Sequence, residues 1–457
     1  MNRIIFIFFV VFFLSTGNIF SQENTDLIPF RKGEKWGFSN RIKNIVVEPK
    51  YDFVWTYAGG LAKVNTGGLI LDIGFVSGGK FGFIDETGSE IIPLKYDFAG
   101  DFNNGFAIVN IGGKENDFGF IQGGKWGFCD KSGKEIIALK YEAVGEFVDG
   151  LAAVKYNGKW GFINTAGIEI IPYKYDVVHN FKEGFSRVNS GAKVGIYGGM
   201  TGGVWGICNK EGMEVVPVKY DDAGDFVEGF SLVKSEGKFG FVNKTGKVII
   251  PIIYEDVLEF KEELAFAKIN DKYGFINKKG DEIIPFKYDF AGNFSEGLAK
   301  IGINGKYGFI DKTGELIIPL KYDDATDYCE GLAGVKMNEK YGFIDKSGNE
   351  IISFKYDDVF PFFEGRAEVI LNNKFGFIDK SGREIVSVKY DYLTDIYEGC
   401  IRAKINSLYF GYVDKNGKEI IPFKYEDARE FNKGIAAVKY NGRWGYIDKK
   451  GTEFWEE

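Results

Sequence analysis

The chain has 457 residues, and its 57 Lys and Arg against 65 Asp and Glu leave a net charge of −8. That acidic balance argues against a nucleic-acid partner, whose electrostatic footprint is a basic stripe. The length would suit two or three conventional domains, yet the pattern below reads as one elongated body.

Met1-Asn2-Arg3 precedes an eleven-residue apolar run at 4–14 and the small residues Ser15-Thr16-Gly17. A positive start, a short apolar core and small residues predict a secretory signal peptide at 1–21. The run is shorter than the roughly 20 residues a membrane span needs. No second run of that length follows, so the mature chain is expected outside the cytoplasm: secreted, periplasmic or at the cell surface, with no membrane span. Residues 22–30 read as a short N-terminal segment and 31–457 as a repeat array.

The glycines Gly37, Gly82, Gly127, Gly161, Gly206, Gly240, Gly274, Gly308, Gly342, Gly376, Gly411 and Gly445 each follow an aromatic residue. Most lie 34 or 35 residues apart and three intervals are 45. A fixed period of this size marks units that bury their apolar faces only against neighbours. Within a unit, Asp345-Lys346-Ser347-Gly348 predicts a type I turn with a left-handed fourth residue. Its flanks, Lys340 to Ile344 and Glu350 to Ile352, read as antiparallel strands. Upstream, Asn157-Gly158, Asn304-Gly305 and Asn441-Gly442 are two-residue hairpin signals. The unit is therefore a three-stranded meander. A linker such as 321–331 follows, read as a crossover pinned by two aromatics with room for one helical turn. Pro93, Pro172, Pro217, Pro251, Pro285, Pro319 and Pro422 are expected where the third strand ends or forms an edge.

Alternation puts Tyr341 and Phe343 on one face, with Gly342 and Ile344 on the other. Two aromatics per unit on one face read as a core stack; an exposed sugar-binding ladder is the alternative. Gly342 would leave space beside the ring or admit a neighbouring backbone. As a buried aromatic, Trp160 would cost roughly 3–5 kcal/mol on truncation to Ala.

The three long intervals carry equal 11-residue inserts near 65–79, 110–124 and 189–203, each ending in Gly-Gly. They read as lengthened hairpin fingers. Leu69, Ile70, Leu71, Phe75, Phe118, Phe120, Tyr197 and Met200 are the candidate binding surface, because loops extending one face of a repeat array are often its binding face. Padding of a neighbouring unit is the competing reading.

These residues resemble the WG-repeat (KWG-repeat) proteins of bacteria. The matching motifs are Lys35-Trp36-Gly37, Lys125-Trp126-Gly127 and Lys159-Trp160-Gly161, with blocks such as Lys95-Tyr96-Asp97 about 13 residues beyond the Gly. The resemblance spans about 31–457 and implies a repeat module without an assigned common chemistry. The aromatic drifts to Phe239, Tyr273, Tyr307, Tyr341, Phe375 and Phe410. The last unit stops at Trp455 without Ile-Ile-Pro, as a cap would.

Candidate chemistry is sparse. His179 has no carboxylate or nucleophile beside it in sequence and reads as a linker filler. The acid pairs Asp221-Asp222, Glu255-Asp256, Asp323-Asp324, Asp357-Asp358 and Glu426-Asp427 recur unit after unit, which suits turn capping better than a unique glycosidase pair. Weak calcium binding is the lesser reading of those pairs. Cys129 and Cys208, and again Cys329 and Cys400, lie two units apart, too far for a disulfide, and are expected as buried free thiols. No catalytic, metal or cofactor site is expected, and the chain is not read as an enzyme. The expected fold is all-β, an open curved solenoid or superhelix of stacked meanders, with closed propeller-like rings as the alternative. The expected function is a binding or scaffold surface for a protein or envelope component; a carbohydrate-binding module is the alternative.

Overall fold

The computed structural model describes residues 27–71, 76–116, 119–194 and 199–456; the expected signal peptide lies outside them. The described residues form small antiparallel sheets joined by tight turns, with no helix. Twelve sheets follow the repeat and act as blades. Blade 1 is built from 28–51 and completed by 455–456. Blades 2 to 12 span 53–96, 98–141, 143–175, 177–220, 222–254, 256–288, 290–322, 324–356, 358–390, 392–425 and 427–448. The first strand, Ile28–Lys32, begins inside the segment expected to precede the array.

The predicted turns are present. In blade 9 the Gly348 N–H donates to Asp345 O at 3.0 Å, and the N–H groups of Ser347 and Asn349 each donate to Asp345 Oδ1 at 2.9 Å. Asn304 and Gly305 are both left-handed, φ 52° and 71°, as a type I′ hairpin requires.

One reading is corrected and another narrowed. The unit has four strands, since the linker folds into the missing one. Glu330 and Gly331 are left-handed, φ 53° and 87°, and Cys329 bridges Leu332, so this stretch is a hairpin rather than a helical turn. In blades 4, 6, 8 and 11 its outer strand runs a full six residues, as in Phe290–Ser295. The third strand of the predicted unit does not end at proline; of the two expected places, the proline takes the edge of the sheet. Leu316–Tyr322 runs through Pro319. Phe309 faces Ile318 and Tyr307 faces Tyr322, so Pro319, Leu320 and Lys321 bulge opposite the single residue Gly308. The bulge absorbs the missing proline N–H.

That bulge accounts for the repeated glycine. A Cβ on Gly308 would lie 2.4 Å from Ile318 O and 2.9 Å from the backbone of Pro319 and Leu320. Of the two sequence-based roles, close approach of a backbone is the one observed.

The core clusters straddle neighbouring blades, as expected of units that cannot bury their faces alone. Phe309, Ile318 and Tyr322 of blade 8 pack with Ala325, Tyr328, Val335 and Ile344 of blade 9. Tyr341 and Phe343 share the opposite face of blade 9, against Val359 and Phe362 of blade 10, so the predicted alternation holds. The linker aromatic reaches back across the junction: Phe309–Tyr328 and Phe343–Phe362 have ring centroids 4.8 and 4.9 Å apart. Such edge-to-face contacts add about 0.5–1.5 kcal/mol to area burial. All four cysteines are free, Cys129, Cys208 and Cys400 being buried and Cys329 partly so; burial pushes the Cys129 thiol up to about 12.

The array closes. The expected open solenoid is replaced by a propeller-like ring, because the C-terminal residues read as a cap supply an edge strand to blade 1. Trp455–Glu456 pairs in parallel with Ile28–Lys32, Arg31 opposite Trp455 and Lys32 opposite Glu456. The Gly33 N–H donates to Glu456 O at 3.0 Å, and Arg31 Nε donates to Trp444 O at 3.0 Å. Phe454 is buried with Ile28, Phe30 and Ile435. Across the same seam, Lys433 Nζ donates to Tyr57 O at 3.2 Å.

Candidate functional site

The three inserts are hairpin fingers, as predicted, on blades 2, 3 and 5. In the first, Leu69 pairs with Ser77 and Ile70 with Val76. In the second, the strands Phe106–Glu115 and Ile121–Asp130 run unbroken from the blade into the finger. In the third, Lys193 pairs with Thr201.

One buried asparagine kinks each finger at its base. Asn65 Oδ1 accepts the Gly68 N–H and Asn65 Nδ2 donates to Gly78 O, both at 3.0 Å. Asn110 and Asn189 repeat the clamp with Gly113 and Gly123, and with Ala192 and Gly202. A Cβ on Gly79 would lie 2.4 Å from Gly68 N, which explains the closing Gly-Gly. All three asparagines are fully buried. The sequence carries a signal for the clamp, an Asn at the foot of each insert where Lys155 stands in a plain unit.

Of the candidate surface residues, Leu69 is 73% exposed and Phe120 is 70% exposed, while Ile70, Leu71 and Met200 are exposed to a lesser degree. Phe75, Phe118 and Tyr197 lie outside the described residues. Fingers 1 and 2 are tied side by side: the Gly78 N–H donates to Glu115 Oε2 at 2.7 Å. On its other flank finger 1 leans on the closing seam. There Ile70 and Leu71 line a cavity of about 140 Å³ with Arg31, Trp36, Arg443 and Trp444, and Val76 packs on the cluster around Trp36 and Trp444. The first finger thus both pads the seam and offers Leu69 to solvent. The structure brings Leu69, Ile70, Leu71 and Phe120 to neighbouring blades; Met200 belongs to the third finger, with finger-free blade 4 between.

The aromatics of the Gly motif are not a free ladder. Trp126, Trp160, Trp205 and Tyr307 are half-buried, whereas Trp36, Phe81, Tyr341 and Trp444 are buried. Cations already lie near several rings: Lys234 Nζ is 4.9 Å from the Phe239 centroid, Lys404 Nζ 4.9 Å from Phe410 and Lys336 Nζ 5.3 Å from Tyr341. Other rings meet aromatic neighbours, as in Trp36–Phe53–Trp55–Phe81–Phe98–Trp126, with centroids 4.7–6.3 Å apart.

The paired acids cap turns, as expected. The first acid of each pair accepts from the next hairpin: Asn338 N–H to Asp323 Oδ2 at 3.2 Å, Asn372 N–H to Asp357 Oδ2 at 2.6 Å, Asp271 N–H to Glu255 Oε2 at 3.0 Å. Glu255, Asp323 and Asp357 also take a lysine from the third strand of the preceding blade, as in Lys306–Asp323 at 2.5 Å and Lys238–Glu255 at 3.2 Å. The second acid meets its own chain or a repeat tyrosine: Tyr341 Oη donates to Asp324 Oδ2 at 2.7 Å. His179 packs 5.4 Å from the Trp205 ring with Arg187 against its ring nitrogens; burial and then the Arg187 charge hold its pKa low. A second cavity, about 230 Å³ between blades 6, 7 and 8, is lined by Asp225, Glu228, Leu232, Leu258, Phe260 and Asn293. Both cavities fall below the roughly 300–1,000 Å³ of pockets that engulf a small organic ligand.

A ring of small blades, four-stranded except for the last, which has three, and antiparallel except for the closing strand of the first, defines an all-β repeat protein of propeller-like build. The WG containing repeat family matches eleven segments: 36–69, 81–114, 126–160, 160–193, 205–239, 239–273, 273–307, 307–341, 341–375, 375–409 and 410–444. The chain belongs to that family. No curated protein matches it in sequence. Among solved structures it is similar to a eukaryotic initiation factor (11% identity, TM-score 0.37, covering 72% of this chain and 92% of that one). It is also similar to BamB from Moraxella catarrhalis (10%, 0.28, 67% and 93%). A third is the extracellular domain of the putative one component system BT4673 from B. thetaiotaomicron (9%, 0.21, 93% and 71%). The blade assignment rests on strand pairing and not on these scores.

Proposed function

We propose that the protein is a non-catalytic binding or scaffold protein, acting outside the cytoplasm, that holds a protein or envelope component on its finger-bearing rim. One observation carries this reading. Leu69 and Phe120 stand largely solvent-exposed on tied neighbouring fingers whose bases are fixed by buried asparagines. The fold has no need of large apolar groups there, and exposed apolar patches tend to mark interaction sites. The remaining support is the apolar N-terminal run, which reads as an export signal.

The carbohydrate reading has less support, since sugar stacking needs an open ring face and many of these rings face a lysine or another ring. The test is capture from envelope extract by the mature chain, compared with Leu69→Ser, Phe120→Ser and a chain lacking 65–79. All variants must first show the parent's circular dichroism and melting. Loss of a captured component in the folded variants supports the reading; identical capture by all removes the fingers from it.

A further inference from the structure

The second strand of blades 2, 5, 8 and 11 carries a basic residue at one register position: Lys63 opposite Phe83, Arg187 opposite Ile207, Lys300 opposite Phe309 and Arg402 opposite Tyr412. These cations bind the next blade across the junction. Lys63 pairs with Asp101 at 2.8 Å, Arg187 with Asp225 at 3.2 Å and Arg402 with Glu430 at 2.9 Å. A backbone carbonyl of the next blade takes a second bond: Arg187 donates to Ala223 O at 3.3 Å, Lys300 to Ala325 O at 2.5 Å, and Arg402 to Ala428 O.

In blade 10 the same position, opposite Phe377, is Glu368. The acid position of blade 11, equivalent to Asp225 and Glu430, is Asp395. The register therefore sets Glu368 toward Asp395 at the place where three other junctions join a cation to a carboxylate. Among the described residues, the nearby arginines are engaged elsewhere. Phe360 of the adjoining strand gives only its backbone N–H, to Glu368 O. Arg366 is paired with Glu364 and lies over Phe377. Arg402 is committed to Glu430 and Ala428 at the following junction. Burial first, and then the Asp395 charge, push the Glu368 carboxyl up to about 7.

We propose that the joint between blades 10 and 11 is a pH-sensitive seam, latched while Glu368 carries a proton and loosened once Glu368 is ionised beside Asp395. A protonated Glu368 regains a donor. It can bond the Asp395 carboxylate or Leu393 O, which stands in the register of Ala325 and Ala428 (Leu393 opposite Ala403, Ala325 opposite Val335, Ala428 opposite Val438). At Glu368 the folded state binds more proton than the unfolded chain between the ordinary glutamate value of 4.5 and about 7. The stability of this joint therefore falls as pH rises through that window and levels off above it.

Hydrogen exchange of the full chain at pH 5.5 and pH 8, corrected for intrinsic exchange rates, tests this locally. Opening in Arg366–Leu371 and Tyr392–Tyr397 is expected to be several-fold more frequent at pH 8, while the blade 8–9 joint, Leu298–Ile303 with Leu332–Met337, is unchanged. Glu368→Gln abolishes the difference, Asp395→Asn reduces it, and Glu368→Lys, which rebuilds the ordinary pair, lowers opening at both pH values. Equal opening in the parent at both pH values overturns the proposal. So does a pH difference that survives in folded Glu368→Gln and Asp395→Asn.

Discussion

Glu330 of blade 9 reaches across to blade 10 and accepts the Gly365 N–H at 3.0 Å, while Lys380 of that blade approaches the same carboxylate at 3.0 Å. Glu330 holds a left-handed backbone, φ 53°, which disfavours a residue with a side chain. The clamp offsets that strain, and the same arrangement joins Glu262 to Gly297, Glu296 to Gly331 and Glu398 to Gly434. Glu330→Ala should cost about 1 kcal/mol, the scale of a partly exposed charge-assisted bond. Local hydrogen exchange in Arg366–Leu371 is the readout, and no change there would mean the contact is incidental.

The pH response of these clamps runs opposite to that of Glu368. Lys380 foremost, aided by the Gly365 N–H, holds the Glu330 carboxyl below its ordinary 4.5. Its contribution is complete above that value and is lost as pH falls through the lower folded value. Acid unfolding of the parent should begin below about pH 4.5 and start at higher pH when Glu330 and Glu296 are both changed to Gln.

Gly308→Ala should cost about 3 kcal/mol, the upper range for overpacking, because the new methyl would strike the bulged backbone at Ile318. Urea unfolding measures it. A cost under about 0.5 kcal/mol would show that the bulge can move away.

Trp36 and Trp160 occupy the same repeat position with different burial. Trp36→Ala should cost about 3–5 kcal/mol and Trp160→Ala distinctly less, near 2 kcal/mol. Equal losses in the two melts would contradict the burial difference.

Much of this architecture was legible in the residues. The period, the Asp345 to Gly348 turns, the alternation of Phe343 and Ile344, and the finger hairpins follow from turn chemistry and side-chain direction. The fourth strand was not, because its turn is Glu330-Gly331 and glutamate is not a left-handed turn former until its carboxylate has a partner in the next blade. Closure was not legible either. It depends on the packing angle between sheets and on Phe454 finding Phe30, contacts separated by nearly the whole chain. The finger hairpins follow from the inserts, whereas the clamp does not: Asn65, Asn110 and Asn189 mark the foot of each insert, but a polar residue there reads equally as solvated until the Gly78 carbonyl has a position. The exposure of Leu69 and Phe120 on tied fingers became visible only once neighbouring blades had positions.

Ring closure is tested most directly by zero-length carbodiimide coupling of the monomer. Lys32 Nζ lies 3.2 Å from Glu456 Oε2 across the seam, and Lys424 Nζ lies 2.6 Å from Glu453 Oε1 within the C-terminal blades. A closed ring yields both isopeptide links by mass spectrometry. An open array would give the Lys424–Glu453 link without the Lys32–Glu456 link, and that result would contradict the ring.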